Sequence, residues 1–566
     1  MESHAFELQT ERLGPLPLIN HFLDRLGLST ILDRLVPTQD PRCRLAYARG
    51  LGVLLRSILT EREPIYMLGE VVSTFAPEGF GLSGEEAAGL TDDAIGRALD
   101  RLFDADRGSL LTEIVLAAVE GFDLVLDELH NDSTTVKFNG QYAQAKGRSM
   151  RGKRAPFITY GFSKDRRPDL KQLLFILTST RDGGVPVQFR CEAGNQNDSR
   201  THEETWEALC RVSGQKDFLY VADGKLCNGE AMEYIDRREG RFVTVMPRTL
   251  MEDREFRKWI QDHDPPWEKV WDRPNPRRKG GPRDRWYVWK YRLPSGEGWP
   301  VIWVFSSLLR SRQFQSRWER IARAEQKLKD LAEYYLGPRP RKRARHEVWK
   351  QIADILEHQH VKRYLKVSLK SIPEHSYRQE RPGRPGPNTK YVRETKRKWE
   401  IKWQLDEEAI AYDHKSDGMY PLITNDRSLT PRQVLEAHKR QPTIEKRFKQ
   451  AKTVLEIAPA LLKNEGRIEA LFFLYFIALL VQALIERELR SAMEREKIEY
   501  LPLYPEERVT HRPTAEQILR LYSLIQRHRL SEGGREVQLF EPELTDLQKQ
   551  VLSLLGVPEI VYCLGL

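Results

Sequence analysis

Cysteine is scarce: five stand among 566 residues, Cys43, Cys191, Cys210, Cys227 and Cys563. The number is odd and no Cys-x-x-Cys occurs, which excludes a disulfide framework and a zinc ribbon and points to a reducing cytoplasm. Long apolar runs are also missing. The longest, Leu471 to Leu480, reaches Ile485 only by admitting Gln482, short of the roughly 20 residues that span a bilayer. It reads as a buried core helix, and no membrane partner is expected. The first residues, Met1 to Phe6, lack the basic-then-apolar pattern of a signal peptide. Neither His-Glu-x-x-His nor Gly-x-Ser-x-Gly occurs, so a zinc-protease helix and a serine-hydrolase elbow are excluded. No internal repeat is found.

What is present is charge. The chain is 31% charged and 40% hydrophobic, with a formal net charge of +9. That balance belongs to a protein with sizeable cores and a polyanionic partner, most simply nucleic acid. The length allows roughly three or four domains.

Residues up to about 120 read as all helix. Leu16 to Leu26 carries apolar residues at helical spacing and stops at Gly27, a longer helix runs from about Leu45 to Glu61, and Thr91 caps Ala94 to Phe103. Short helices joined by tight turns fit a helix-turn-helix-like DNA-binding module or a helical packing domain. Near residue 123 the period changes. Asp123 to Gly140 and Phe157 to Ser163 read as strands, and 172–180 with 185–189 as a hairpin. A helix over 201–212, a strand from Phe218 to Asp223, a helix over 231–238 and a strand from Arg241 to Met246 complete an alternating α/β pattern.

From about 250 to 400 that pattern breaks. Trp286 to Arg292 and Trp299 to Phe305 read as an aromatic hairpin, and Arg317 to Leu336 as a charged helix. Two basic runs follow, from Pro338 to Arg345 and from Arg381 to Pro387. The second, with Arg384 in a Gly-Arg-Pro core, resembles an AT-hook and is equally a basic linker. Strands return at Trp399 to Leu405 and Met419 to Thr424, and Thr430-Pro431 opens a helix.

The stretch Gln441 to Lys452 organises the rest. Pro442 is expected to push Gln441 out of helical geometry, and Thr443 to cap a new helix. Glu445, Lys449 and Lys452 then share one face, and Ile444, Phe448, Ala451 and Leu455 form an apolar stripe. An acid aimed with two lysines suits a divalent cation beside a phosphate, and an ordinary solvated face has the same pattern. Two further acids sit at strand positions: Asp132, with Asp123 and Asp127 as rivals, and Asp223 before a glycine. Three carboxylates converging at a sheet edge would hold one or two Mg2+ ions, which clamp the oxygens of a phosphodiester.

The chain resembles the DDE transposases of bacterial insertion sequences, in the branch with a long β-rich insertion before the catalytic Glu. The resemblance rests on His130 to Thr135, Tyr160 to Gln172, Gly194 to Asp198, Val221 to Gly224, and Ile444-Glu445-x-x-Phe448-x-x-x-Lys452. It implies an α/β, RNase H-like core with a mixed sheet, interrupted by a basic β-rich insertion, with helical N- and C-terminal regions. It implies catalytic metal ligands at Asp132, Asp223 and Glu445, two Mg2+ ions with Mn2+ as a substitute, and a phosphate contact at Lys452. The branch's Tyr and Arg would fall on His438 and Gln441, so Arg440 and Lys449 are the substitutes for the accessory phosphate contact. Arg384, Trp289 and Trp299 of the insertion are the remaining DNA-binding candidates. The expected divisions are a helical DNA-binding domain over 1–120, the first part of the core over 121–250, the insertion over 251–418, the last part of the core over 419–490, and a helical C-terminal region over 491–566.

The expected function is DNA transposition: binding of terminal inverted repeats, Mg-dependent strand cleavage, and transfer of the freed 3′ hydroxyl into target double-stranded DNA. A homodimer or larger assembly on DNA is expected, in the bacterial cytoplasm. The alternatives are a transposase-derived DNA-binding protein that does not cut and a Mg-dependent nuclease that does not transfer.

Overall fold

The computed structural model describes residues 6–139, 142, 147, 149–162, 167–196, 201–275, 280–337, 343–457 and 462–563. Gly140 of the expected turn, 163–166 and 197–198 of two motif segments, and 338–342 of the first basic run lie outside the described residues. The chain forms two compact units. The first comprises Met1–Thr244, Thr424–Asp426 and Glu436–Leu566, and the second Val245–Ile423 and Arg427–Leu435.

The first unit begins with a strand where helix is expected, β1 (Phe6–Arg12). It pairs antiparallel with a hairpin near the other end of the chain, β15 (Gln526–Glu532) and β16 (Arg535–Phe540). The helical reading fails in both regions: β1 gains its ladder from sequence more than 500 residues away, and β15 and β16 close as a local hairpin around Gly533-Gly534. Seven helices follow: α1 (Leu16–Arg25), α2 (Leu28–Leu35), α3 (Tyr47–Leu59), α4 (Leu68–Ser73), α5 (Gly84–Ala88), α6 (Asp92–Asp104) and α7 (Arg107–Phe122). The Thr91 hydroxyl accepts from Ala94 N at 3.1 Å, the expected cap of α6.

The main sheet of this unit is built from β2 (Glu128–Phe138), β5 (Lys171–Thr180), β6 (Pro186–Ala193), β7 (Leu219–Ala222) and β8 (Arg241–Val245), after the short pair β3 (Ser149–Met150) and β4 (Lys153–Arg154). Its order is β6-β5-β2-β7-β8. The first three strands are an antiparallel meander, and β7 and β8 run parallel to β2. The helices α8 (His202–Ser213) and α9 (Gly229–Asp236) make the crossovers that parallel pairing requires. This is the expected RNase H-like arrangement. The segment at 157–162 is not a strand: it touches the sheet through one bridge, Thr159↔Gln172. The buried amide of Gln172 donates instead to Phe162 O (3.1 Å) and Gly194 O (2.9 Å). A Cβ on Gly161 would lie 1.9 Å from Gly194 O, so only glycine allows that approach.

The second unit has a four-stranded antiparallel sheet: β9 (Glu268–Arg273), β10 (Asp284–Lys290), β11 (Val301–Ser306) and β14 (Met419–Thr424), in the order β14-β11-β10-β9. The expected aromatic hairpin is β10–β11, with Trp289 opposite Trp303. Helices α10 (Met251–Trp259), α11 (Ser307–Leu336), α12 (Arg345–His358) and α13 (Glu407–Lys415) accompany it, along with a ribbon of two fifteen-residue strands, β12 (Leu365–Gln379) and β13 (Tyr391–Leu405). A core of Ile321, Leu328, Val348, Ile352, Leu365 and Ile401 holds α11, α12 and the base of the ribbon together.

The chain re-enters the first unit through α14 (Pro431–Arg440), followed by α15 (Pro442–Lys449) and one π-helical turn over Gln450–Val454. The long α16 (Glu465–Arg495) comes next, then α17 (Ala515–Leu521) and α18 (Asp546–Leu555). The expected apolar core helix is α16. It is long and apolar enough to cross a membrane, but 89% of its most apolar window is buried, packed against α1, α3, α6, α17, α18 and β6. Burial on all sides requires apolar residues on all sides.

Candidate active site

Along β2 every residue is buried except Asp132 and Lys137. The strand is covered on both faces, so the half-exposed Asp132 marks an opening. The opening has a topological cause. The last β2–β7 pair is Asn131↔Ala222, and one residue further along the two chains stand Asp132 and Asp223. There β7 leaves the sheet in a turn, with Leu226 N donating to Asp223 O (3.1 Å) and Lys225 N to Asp223 Oδ1 (3.0 Å). The two acids therefore start from neighbouring strands, about 5 Å apart in backbone spacing. Asp223 lies just past the carboxyl end of β7 and Asp132 stands beside it within β2, where the departure of β7 leaves a crevice of the kind in which α/β sheets take ligands. Asp132 Oδ1 accepts from Ser133 N at 2.7 Å, and the Thr244 hydroxyl fixes Asp223 O at 2.7 Å.

The rival acids have other roles. Asp123 ends α7 in left-handed geometry, φ 50. Asp127 precedes β2, receives Leu219 N on its carbonyl at 2.8 Å, and pairs with Arg181 at 3.2 Å. It stands at the far end of the β2–β7 pairing from the crevice.

Glu445 is exposed on α15, whose inner residues pack on β2 and β5. The apolar stripe of Ile444, Phe448, Ala451 and Leu455 is buried as expected. The capping is different. Gln441 keeps α-helical dihedrals (φ −52, ψ −35) and is itself the N-cap residue, Pro442 occupies the first helical turn, and no side chain caps. The break between α14 and α15 comes from the missing proline N–H, which costs one ladder bond without forcing Gln441 extended.

A buried ion pair that sequence reasoning missed anchors α15. Arg447 Nη1 lies 3.0 Å from Glu486 Oε2 on α16. Nη1 also donates to Gln450 Oε1 (2.7 Å), and the other two nitrogens donate to Gly184 O (2.9 Å) and Gly183 O (2.7 Å). The available signal was position: Arg447 interrupts a buried stripe, and Glu486 follows directly on the apolar run. Two residues of separation turn Glu445 away from this inner face, toward solvent.

Asp132, Asp223 and Glu445 are hard oxygen donors and suit Mg2+ in kind. The fold brings the first two together and puts the third on a helix packed against the same strand. Among the described residues, no three His, Cys, Asp or Glu side chains are gathered closely enough to hold one ion.

A family model described as "Transposase DDE domain" matches residues 127–481, and it takes in all three acids. The chain belongs to the DDE transposase family. A second model, "Domain of unknown function (DUF4277)", matches residues 8–116 of this family member. No curated protein matches it. Among solved structures it is similar to a piggyBac transposase synaptic complex with hairpin DNA, solved by cryo-EM. The TM-score is 0.28 and the identity 10%, over 53% of this chain and 63% of that one, so the chain spans less than two thirds of that protein.

The remaining candidates of this DDE transposase family member are dispersed. Arg440 is committed to Glu128, with Nη1 at 2.9 and 2.7 Å from its two carboxylate oxygens. Burial pushes the Glu128 carboxyl up, but the hydrogen bond from His130 and the Arg440 guanidinium outweigh it and hold it below its ordinary range. Lys449 is exposed and lines a basic hollow of about 370 Å³ with Arg181, Lys446, Arg490 and Arg512. Lost hydration, then the like charges of Arg512 and Arg490, lower the Lys446 ammonium. Lys452 lies in the π-helical turn, where each bond spans five residues (Leu455 N to Gln450 O, 2.9 Å). The wider turn makes Lys452 lag behind the face shared by Glu445 and Lys449.

Of the second unit's candidates, Trp299 is 5% exposed, and Trp303, which faces Trp289 across the hairpin, is 1% exposed. Rings so buried offer no face to a base. Trp289 is half-buried and stacks on Trp259 at 5.2 Å between centroids. Arg384 is exposed at the ribbon tip.

Proposed function

We propose that the chain is a DNA transposase that cuts element ends and joins them to target DNA, with Asp132, Asp223 and Glu445 as its catalytic carboxylates. The observation that carries this reading is the placement of Asp132 and Asp223 one residue beyond the last β2–β7 pair, in the crevice where β7 departs. The three acids would hold Mg2+, and a bound ion supplies Lewis-acid activation of water and neutralises the phosphate. The protein's own residues do the rest. Buried strands fix the two aspartates, the Arg447–Glu486 pair sets the pitch of α15 and thereby aims Glu445, and Arg440 positions the end of α14 through Glu128. Lys449 and Lys452 bind phosphates of the DNA beside the site, since a lysine stem is long and its charge compact. The partners are terminal inverted repeats and target duplex, bound by a homodimer or larger assembly in the bacterial cytoplasm.

The test is strand cleavage of element-end DNA with Mg2+. Asp132→Asn, Asp223→Asn and Glu445→Gln should each abolish cutting and leave binding largely intact, because a neutral amide is a poor Mg2+ ligand. Robust cutting by any one variant removes that residue from the site. Recovery of joined product separates transfer from simple nuclease action.

A further inference from the structure

The β12–β13 ribbon has two unlike faces. Residues opposite each other in an antiparallel pair point to the same side, so the register sorts the outer ribbon into two sets. One set contains Glu374, Glu394, Arg378, Lys396 and Lys398, and its two acids are both paired: Lys398 lies 2.8 Å from Glu374, and Arg378 2.8 Å from Glu394. The other runs through the pairs Pro373↔Arg397, His375↔Thr395, Tyr377↔Arg393 and Gln379↔Tyr391. It has no acid at all. Arg393 and Arg397 are exposed and make no ion pair among the described residues. Tyr377 is 67% and Tyr391 53% exposed. Beyond them the tip adds Arg381, Arg384 and Lys390 against Glu380.

From the ordering of these groups we infer that the acid-free face of the ribbon is a DNA-binding surface that lies in the major groove. The inference rests on the transposase reading above. Its physical basis is threefold. A two-stranded ribbon exposed on both faces is marginal by itself, so a partner is needed to order it. A major groove about 12 Å wide admits such a ribbon. The outer stretch of nine residues, 371–379, extends about 30 Å at 3.3–3.4 Å per residue, close to one DNA turn of about 34 Å. Arg393 and Arg397 then meet phosphates along the groove, the tyrosine rings cover sugar and base edges, and the tip arginines reach past the groove to the next backbone.

The test is anisotropy of a labelled 30-base-pair duplex titrated with salt, using the full chain. The double variant Arg393→Ala/Arg397→Ala should lower the slope of log K against log salt by about 1.8, at about 0.9 per phosphate lost. Arg378→Ala/Glu394→Ala, which removes a charge pair from the other face, should leave the slope unchanged. Tyr377→Ala/Tyr391→Ala should weaken binding at constant slope. Affinity and slope unaltered in the arginine variant would overturn the inference. A changed mass by light scattering with an unchanged slope would overturn it too, and make the ribbon a contact between copies. Failure of the parent protein to bind the duplex defeats the transposase reading as well, whereas parental binding that the variants leave intact defeats the ribbon alone.

Discussion

Two strands of this protein, β2 and β12, have opposite surroundings. β2 is buried on both faces apart from Asp132 and Lys137, while β12 beyond its base is exposed on both. Burial fixes β2, so the backbone that carries Asp132 is held by packing. Exposure leaves β12 free of the core's demand for apolar residues, so its composition can follow charge alone. Chemistry needs the first arrangement, since a reacting phosphate tolerates little misplacement. Affinity for a long polyanion is served by the second, since phosphate contacts add along the backbone.

The largest test of that contrast is at the crevice. Asp132→Asn and Asp223→Asn should abolish detectable cutting, a loss of at least about a thousandfold or about 4 kcal/mol of transition-state stabilisation. Asp127→Asn, with its acid held by Arg181 at 3.2 Å, should cut at near the parental rate. The reverse result would place the first ligand at the wrong end of the strand pairing.

Stability should separate the two regions next. Arg447→Leu takes from Glu486 its partner at 3.0 Å and leaves it Arg490 at 3.3 Å, so the loss should fall at or below the low end of the about 3–5 kcal/mol that a fully broken buried pair costs. Urea unfolding should show that loss, while the exposed ribbon variants stay within about 0.5 kcal/mol of the parent. Equal costs in both places would remove the distinction between a packed scaffold and a free arm.

A smaller effect is expected at Lys452. Lys452→Ala should lower the salt slope of element-end binding by about one and slow cutting, with metal binding spared. An unchanged slope would leave Lys452 an ordinary lysine of the π-helical turn.

The smallest effect concerns pH. Burial, with the charges of Lys439 and His130, pulls the His438 imidazole from 6.5 down to about 3. A base depressed in the fold binds its proton more readily when unfolded. Its contribution is therefore complete above pH 6.5 and is lost as pH falls toward 3. Melting temperatures measured from pH 7.5 down to 4.5 should decline, and His438→Gln should flatten part of that decline.

Much of this was legible in the sequence, because local rules suffice for it. The change from helical to alternating period near residue 123, the caps at Thr91 and Thr430, the buried run in α16 and the apolar stripe of α15 follow from side-chain spacing alone. Other features depended on which distant segments meet. Only the fold could pair β1 with β15, place Asp223 beside Asp132, or turn Trp299 inward and Tyr377 outward. The alternation of a strand offers two faces, and nothing in the strand itself says which of them a core will cover. The same holds for Arg447: its spacing marks it as buried, but its partner Glu486 comes from another helix, and a buried charge is permissible only where the tertiary structure supplies that partner.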